Sequence, residues 1–487
     1  MTTTIWWIRR DLRLGDNQAL HMARSLGDQV IPLYILDPAL LHSPYVGEKR
    51  LAFLFAGLRQ LRQDLQARGS DLLIQTGAPQ QALAALLAET GAAAICAEAD
   101  YSPYARSRDD AIAARLPLHL TAGLTVHPPD LITKGDGQPY TVYTPFSRAW
   151  KERVGAMPAG REAGQQRDGL PAGIAPTLPA PATLPTPPLP EGARPAGEPA
   201  LPADALFLPG EAEAQRRLQA FGAGPDAAIT RYDEGRNRLD LEGTSQLSPY
   251  LRFGMISARQ AMVAAQEAWA AARTPQARQG AETWLNELIW REFFIAILYH
   301  FPHVRQGPLR PNWRPIPWRN DEAEFAAWQQ GRTGYPVVDA AMRQLLHSGW
   351  MHNRARMIVA SFLVKDLLID WRWGERWFMQ HLIDGDPAAN NGGWQWSAGS
   401  GADAAPYFRI FNPTSQASKH DPDGDYIRRW LPELARVPIA YLYQPWTMPA
   451  AIQQQSGCIL GVDYPRPIVD HAAARARALQ TYGLAGG

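Results

Sequence analysis

The sequence predicts an α/β amino-terminal domain with a doubly wound parallel sheet, joined by a long Pro-rich linker to an all-α carboxy-terminal domain. Three observations carry this. Short apolar runs alternate with helical periods as far as about residue 125, Pro crowds residues 158–209, and helical spacing resumes beyond with hardly any strand signal. At 487 residues the chain is too long for one ordinary core. The expected division is 1–130 for the sheet domain, 131–210 for the linker and 211–487 for the helical domain.

The runs TIWWI, VIPLYIL, DLLIQTG and AAAICAEA read as buried parallel strands, apolar on both faces. Between them, EKRLAFLFAGLRQLRQDLQARG and PQQALAALLAETG have helical spacing and end on Gly, the usual stop. The first strand leads into RRDLRLGDN, with no G-x-G-x-x-G, so the standard dinucleotide fingerprint is missing. Residues 158–209 hold 13 of the 42 Pro residues without any sustained period, which describes a linker running over the surface.

Composition narrows the function classes. A hydrophobic share of 46%, a charged share of 20% and a net charge of +1 exclude a disordered polyelectrolyte. Any nucleic-acid contact must then be a local basic patch. Cys96 and Cys458 are the only cysteines, too few for a disulfide framework or a Cys-rich metal site, and the expectation is a reduced, cytoplasmic protein. Arg9 and Arg10 interrupt the amino-terminal apolar run, and no segment has 18 uncharged apolar residues, so neither a standard signal peptide nor a membrane span is expected. Eleven of the 17 Trp residues lie between Trp284 and Trp396.

Four stretches can carry chemistry. In WLNELIWREFFIAIL, Trp284, Glu287 and Trp290 recur every three residues with Arg291 four after Glu287, which puts them on or beside one helix face. Taken alone, this also describes an amphipathic core helix with an intrahelical ion pair. Two indoles flanking a carboxylate also suit a stacked base whose edge is hydrogen-bonded. In GWMHNRARMIVASFLVKDLLIDW, Asn353, Met357 and Ser361 share a helical row, while Arg354 has the planar fork that matches a phosphate. In YDEGRNRLDLEGTSQLSPYLRFG, Thr244, Ser245 and Ser248 gather where Pro249 marks a first helical turn. Capping accounts for one hydroxyl; three, with Tyr232 and Arg236 nearby, suit a pyrophosphate. Finally, DGDPAANNGGWQW offers close backbone approach at its glycines, carboxylates at Asp384 and Asp386, and an amide at Asn390. The DGD resembles part of a calcium loop, but no terminal Glu follows at the required spacing, and no metal is expected.

Together, FRIFNPTSQASK, DGDPAANNGGWQW, WMHNRARM, ELIWREF and TSQLSPYLRFG resemble the photolyase/cryptochrome family, with WWIRRDLRLGDN similar to its amino-terminal signature. The resemblance spans nearly the whole chain outside the Pro-rich linker and is nearest to the bacterial class I cyclobutane pyrimidine dimer (CPD) photolyases. It implies an FAD-binding helical domain and light-dependent repair of UV-damaged DNA by a monomer, with a blue-light signalling cryptochrome as the alternative on the same fold.

By that resemblance, Tyr232, Arg236, Thr244, Ser245, Ser248 and Trp284 belong to the FAD-binding segment, Asp384 and Asp386 bind the flavin and ribityl region, Arg356 pairs with Asp384, and Asn390 faces flavin N5. Trp394, Trp371 and Trp318 fall on the family's electron-carrying tryptophan chain. The NWRPIPW segment looks one residue shorter than in common relatives, which makes Trp313 a substitute for Trp318. Trp290 and Trp396 would stack on the flipped dimer, Glu287, Asn353 and Met357 would line its pocket, and Arg354 and Arg409 would hold flanking phosphates. A second, light-harvesting chromophore is expected in the sheet domain. Tyr104 and Ala105 stand where folate users (MTHF) carry an Asn-Glu pair, whereas Arg50 and Asp100 match the deazaflavin (8-HDF) branch; a flavin is a further possibility.

Overall fold

The computed structural model describes residues 1–154, 177–193, 198–224, 227–310, 316–403, 406 and 409–485. Five parallel strands form one sheet in the order β3-β2-β1-β4-β5, with β1 Thr3–Ile8, β2 Gln29–Leu36, β3 Leu73–Thr76, β4 Ala94–Glu98 and β5 Leu118–Thr121. Central β1 pairs with β2 from Thr3 opposite Gln29 to Ile8 opposite Tyr34, and with β4 from Thr4 opposite Ala94 to Trp6 opposite Cys96. The order reverses between β1 and β4, the signature of a doubly wound sheet. Four strands sit where the apolar runs put them. The fifth, LHLT, is short, half-exposed and at the edge, so it lacks the unbroken apolar run that betrays a buried strand.

The helices between strands follow their expected segments. Glu48–Gln66 buries Phe53, Leu58, Leu61 and Leu65 along one stripe, and Pro79–Thr90 closes on Gly91, whose φ of 63° requires a residue tolerant of left-handed backbone.

Part of the expected linker 131–210 is regular structure. Tyr143–Val154 is a helix with Phe146 and Trp150 buried, and Trp150 Nε1 donates to Glu292 Oε2 at 2.7 Å. Its Pro145 lies in the first turn, where no helical N–H is lost. The later Pro-rich residues are docked rather than free: Val30 N donates to Pro185 O, Leu184 N to Arg68 O and Ala193 N to Ile74 O. The last bond covers part of the outer edge of β3, which would otherwise present unpaired backbone. Residues 155–176 and 194–197 of that stretch lie outside the described residues.

The chain divides into two compact units interleaved along the sequence. The first comprises Met1–Tyr232, Ser245–Pro302 and Ile383–Ala388; the second Asp233–Thr244, His303–Leu382 and Ala389–Gly487. The first thus joins the sheet to the long helix Pro275–His300 and the loop that carries Asp384 and Asp386. The second is helical, with no strand among its described residues. Its core gathers Trp328, Phe362, Trp371, Phe378 and Trp394 with many aliphatic side chains. No described helix is long and apolar enough to cross a membrane.

Candidate functional site

In the first unit, the helix Pro275–His300 places three of the sequence-selected residues. Trp284 is buried, and its Nε1 donates to Ser245 Oγ at 3.3 Å. Its ring tilts against Phe221, which meets Tyr232 edge to face at 5.9 Å. Tyr232, Ser245 and Trp284 are therefore brought together across a gap in sequence. Ser248 opens the helix Ser248–Phe253 with Pro249 in its first turn, as expected, and no side chain caps that start. Glu287 is half-buried one turn after Trp284, while Arg291 donates to Leu124 O at 3.0 Å. Trp290 is half-buried and lies parallel to Tyr143, with ring centroids 3.7 Å apart and planes 2° apart.

Asp384 and Asp386 are buried in the loop before the helix Pro387–Ala398, where Asp386 Oδ1 accepts from Ala388 N at 2.9 Å. Three guanidiniums attend that loop. Arg10 Nη2 pairs with Asp386 Oδ2 at 2.6 Å, and Arg252 Nε donates to Gly385 O at 2.9 Å. Burial pushes Arg50 down to about 10, against the pull of Asp384 and Asp386, and pushes Arg252 down to about 9, helped by neighbouring Arg10. Arg10 also faces Asp100 at 3.7 Å. Burial opposes ionisation of Asp100, but Arg10 holds its carboxyl below the usual range. Arg10 follows β1 and Asp100 follows β4, so both stand at the carboxyl ends of the strands where the sheet order reverses, the usual ligand crevice of such sheets. Arg50 Nη1 donates to Tyr45 O at 3.2 Å, and the Tyr104 hydroxyl donates to Asp37.

In the second unit, His352 caps the helix Asn353–Ser361, its Nδ1 accepting from Arg354 N at 3.1 Å. Asn353 is exposed and Met357 half-buried. Arg354 directs Nη2 and Nε to Asn237 Oδ1 at 2.6 and 3.1 Å. Burial and the like charges of Arg236 and Arg409 lower its pKa. A cavity of about 310 Å³ opens beside it, lined by Asn237, Arg238, Arg354, Arg409, Lys419 and His420 among others. Burial first, then Arg354 and Lys419, push His420 down to about 4, so it stands neutral at physiological pH. The sequence reading selected Arg354, Arg409 and Arg236 but missed Asn237, Arg238, Lys419 and His420; Asn237 and Arg238 directly follow Arg236, and Lys419 ends the recognised FRIFNPTSQASK segment. Arg409 lies 5.8 Å from the centroid of the half-buried Trp396 ring. Arg356 Nε donates to Met351 O, and Thr244 is half-buried.

Asn390 Nδ2 donates to Glu375 O at 3.0 Å, which fixes the orientation of its amide. Trp394 is buried edge-on against Trp328 at 6.1 Å and Phe378 at 5.0 Å. Gly374 makes room for it: a Cβ there would fall 2.1 Å from the indole Cη2. Trp371 shares this core, Trp318 packs on its margin, and Trp313 lies outside the described residues. Trp328 was not singled out from the sequence, although the density of Trp in this region was the signal. Among the described residues, His352 Nε2 and Trp394 Nε1 are buried without a hydrogen-bond partner in the chain. Within the first unit, the carboxylates of Asp384 and Asp386 and the hydroxyl of Ser245 suit a hydrogen-bonding nucleotide cofactor.

Residues 4–163 match the family model described as DNA photolyase, and residues 284–483 the one described as the FAD binding domain of DNA photolyase. The chain is 45% identical over 475 residues to the deoxyribodipyrimidine photo-lyase of Synechococcus sp., covering 96% of this chain and 93% of that protein. Among solved structures, a bacterial class III photolyase from Agrobacterium tumefaciens superposes with a TM-score of 0.89 at 38% identity, over 100% of this chain and 98% of that one. A Synechocystis cryptochrome superposes with a TM-score of 0.87 at 30% identity, over 99% of both chains. These matches run through both units, and the chain belongs to the DNA photolyase family.

Proposed function

We propose that this chain is a light-driven lyase that splits cyclobutane pyrimidine dimers in UV-damaged DNA and returns the two pyrimidines with no net redox change. The observation that carries this reading is the match, along almost the whole chain, to proteins named deoxyribodipyrimidine photo-lyase. When bound, FAD supplies the photoexcited reduced ring that lends an electron to the dimer and takes it back.

The chain's own residues do the rest. In the first unit Tyr232, Ser245, Ser248 and Trp284 bind the nucleotide, while Asp384 and Asp386 accept hydrogen bonds from ring and ribityl groups. Arg236, Thr244 and Arg356 are further cofactor-binding residues, and Asn390 offers an amide that cannot act as a strong acid. Trp394, Trp371 and Trp318, or Trp313 in place of the last, pass an electron inward from the surface. Trp290 and Trp396 stack on the dimer, with Glu287, Asn353 and Met357 along the pocket. Arg354 and Arg409 hold phosphates, supported by the basic cavity around Arg354, so binding weakens as salt rises despite a net charge of only +1. Arg50 and Asp100 serve a second chromophore of the deazaflavin type, with flavin and folate as the alternatives. The reading includes a monomer acting in the cytoplasm.

The test is incubation of the FAD-loaded protein with an oligonucleotide containing one thymine dimer, in blue light and in darkness. Repair in the light alone is expected; intact dimers in both arms, with flavin bound and reduced, would favour a signalling receptor instead. Reconstitution addresses the antenna: one equivalent of deazaflavin, lost in Asp100→Ala, is expected, and tight folate uptake without deazaflavin would overturn that part.

A further inference from the structure

Trp290 has a stacked aromatic partner on another helix. Tyr143 opens the helix Tyr143–Val154 and lies flat on the indole, 3.7 Å between centroids and 2° from parallel. Isolated aromatic pairs prefer offset or edge-to-face arrangements over a full sandwich. The surroundings must therefore impose this one, and they do so from both ends. The Tyr143 hydroxyl donates to Asn286 O at 2.9 Å, one turn ahead of Trp290 on the same helix. Phe293 meets the edge of both rings, at 5.9 Å from Tyr143 and 5.6 Å from Trp290. Farther along its own helix, Trp150 is tied to Glu292. Tyr143 is thus fixed independently of the indole it covers.

We infer that Tyr143 is a positioning residue for lesion recognition: it fills one face of Trp290 and holds the indole plane, so that only the opposite face is offered to the pyrimidine dimer. This rests on the reading of Trp290 as a lesion contact. The physical gain is preorganisation. A half-buried indole free to turn loses rotamer freedom when a base stacks on it, and a ring already clamped does not. One-sided coverage also sets the side from which the dimer enters.

The experiment measures affinity for a dimer-containing oligonucleotide and for its undamaged twin, with repair rates at saturating DNA, for FAD-loaded Tyr143→Leu, Tyr143→Met and Tyr143→Phe. The Leu and Met variants are read in parallel, so failure of one to load FAD still leaves the comparison. Both should bind damaged DNA about two- to tenfold more weakly, the range of one aromatic stacking contact. Undamaged-DNA affinity and the rate at saturation should stay unchanged, and Tyr143→Phe, which keeps the ring, should remain within about twofold of the parent. In a Trp290→Ala background the Tyr143→Leu effect should vanish. Unchanged affinity of Tyr143→Leu and Tyr143→Met would overturn the inference, as would tighter binding, which would mean that Tyr143 occupies the lesion's own place. If Trp290→Ala itself leaves damaged-DNA affinity intact, the lesion-contact reading is what fails.

Discussion

The two units bury different things. The first sinks charge into its interior: Arg13 pairs with Glu98 at 2.6 Å with both side chains nearly inaccessible, Arg10 stands between Asp386 and Asp100, and buried Glu292 accepts from Trp150 and Val126. The second builds its centre from aromatic and aliphatic side chains, with Trp328, Trp394 and Phe378 meeting at 5.0–6.2 Å. Buried ion pairs add little net stability over apolar packing but are costly to break from one side. The difference teaches that, around these residues, the first interior depends on charge pairing and the second on volume, so mutation should act on the two through different terms.

The sharpest test removes chemistry without removing volume. Trp394→Phe keeps most of the apolar packing, so photoreduction of oxidised flavin should be abolished while repair by chemically reduced protein remains; loss of repair after dithionite reduction, with FAD and damaged DNA still bound, would show that Trp394 does more than relay electrons. Removing volume comes next. Trp328→Ala should cost about 3–5 kcal/mol in denaturant unfolding, because a fully buried indole leaves a cavity. In the charged interior, Arg10→Met should cost about 2–3 kcal/mol by leaving two carboxylates without their guanidinium, somewhat less than the 3–5 kcal/mol of a fully buried pair. Arg10→Met with Asp386→Asn should recover part of it, and strict additivity in thermal melts would break the pairing account.

The smallest effect tests a buried cation in the second unit. Lys365 is 2% exposed on the π-helical turn Phe362–Asp366, its Nζ 3.3 Å from the centroid of the Tyr482 ring, and burial pushes it down to about 7 from the usual 10.5. Between those values the unfolded chain binds more protons than the folded one, so this residue's contribution to stability rises with pH through that window. Lys365→Met should therefore stabilise the protein by about 1–2 kcal/mol near pH 6.5, with the gain shrinking towards pH 10. A gain that is flat across pH would place the effect in packing alone.

What was legible in the sequence follows the range of the interactions. Strands β1 to β4 and the helix around Trp284 and Trp290 announce themselves through local period, and Thr244, Ser245 and Ser248 through clustering. Helix Tyr143–Val154 was hidden because YTPF reads as a continuation of Pro-rich chain, although its Pro falls where a first turn tolerates it. Arg10 with Asp386, Arg354 with Asn237 and Tyr143 with Trp290 join residues more than a hundred positions apart, and no spacing rule reports such pairs. Family resemblance named Asp386, Arg354 and Trp290, but their partners became visible only in the fold.

The interleaving of the units has a consequence for synthesis on the ribosome. The sheet is complete in sequence by Thr121, yet the unit that contains it also needs Ser245–Pro302 and then Ile383–Ala388. About eighty residues separate those last two segments, which at translation speeds of about 5–20 residues per second is a wait of roughly 4 to 16 seconds. Throughout that interval Arg10 and Arg252 have been made but Gly385 and Asp386 have not. The Arg10–Asp386 pair is therefore among the last parts of the first unit to be assembled, and in a nascent chain stalled before residue 383 Arg10 would have Asp100 but not Asp386 as a partner.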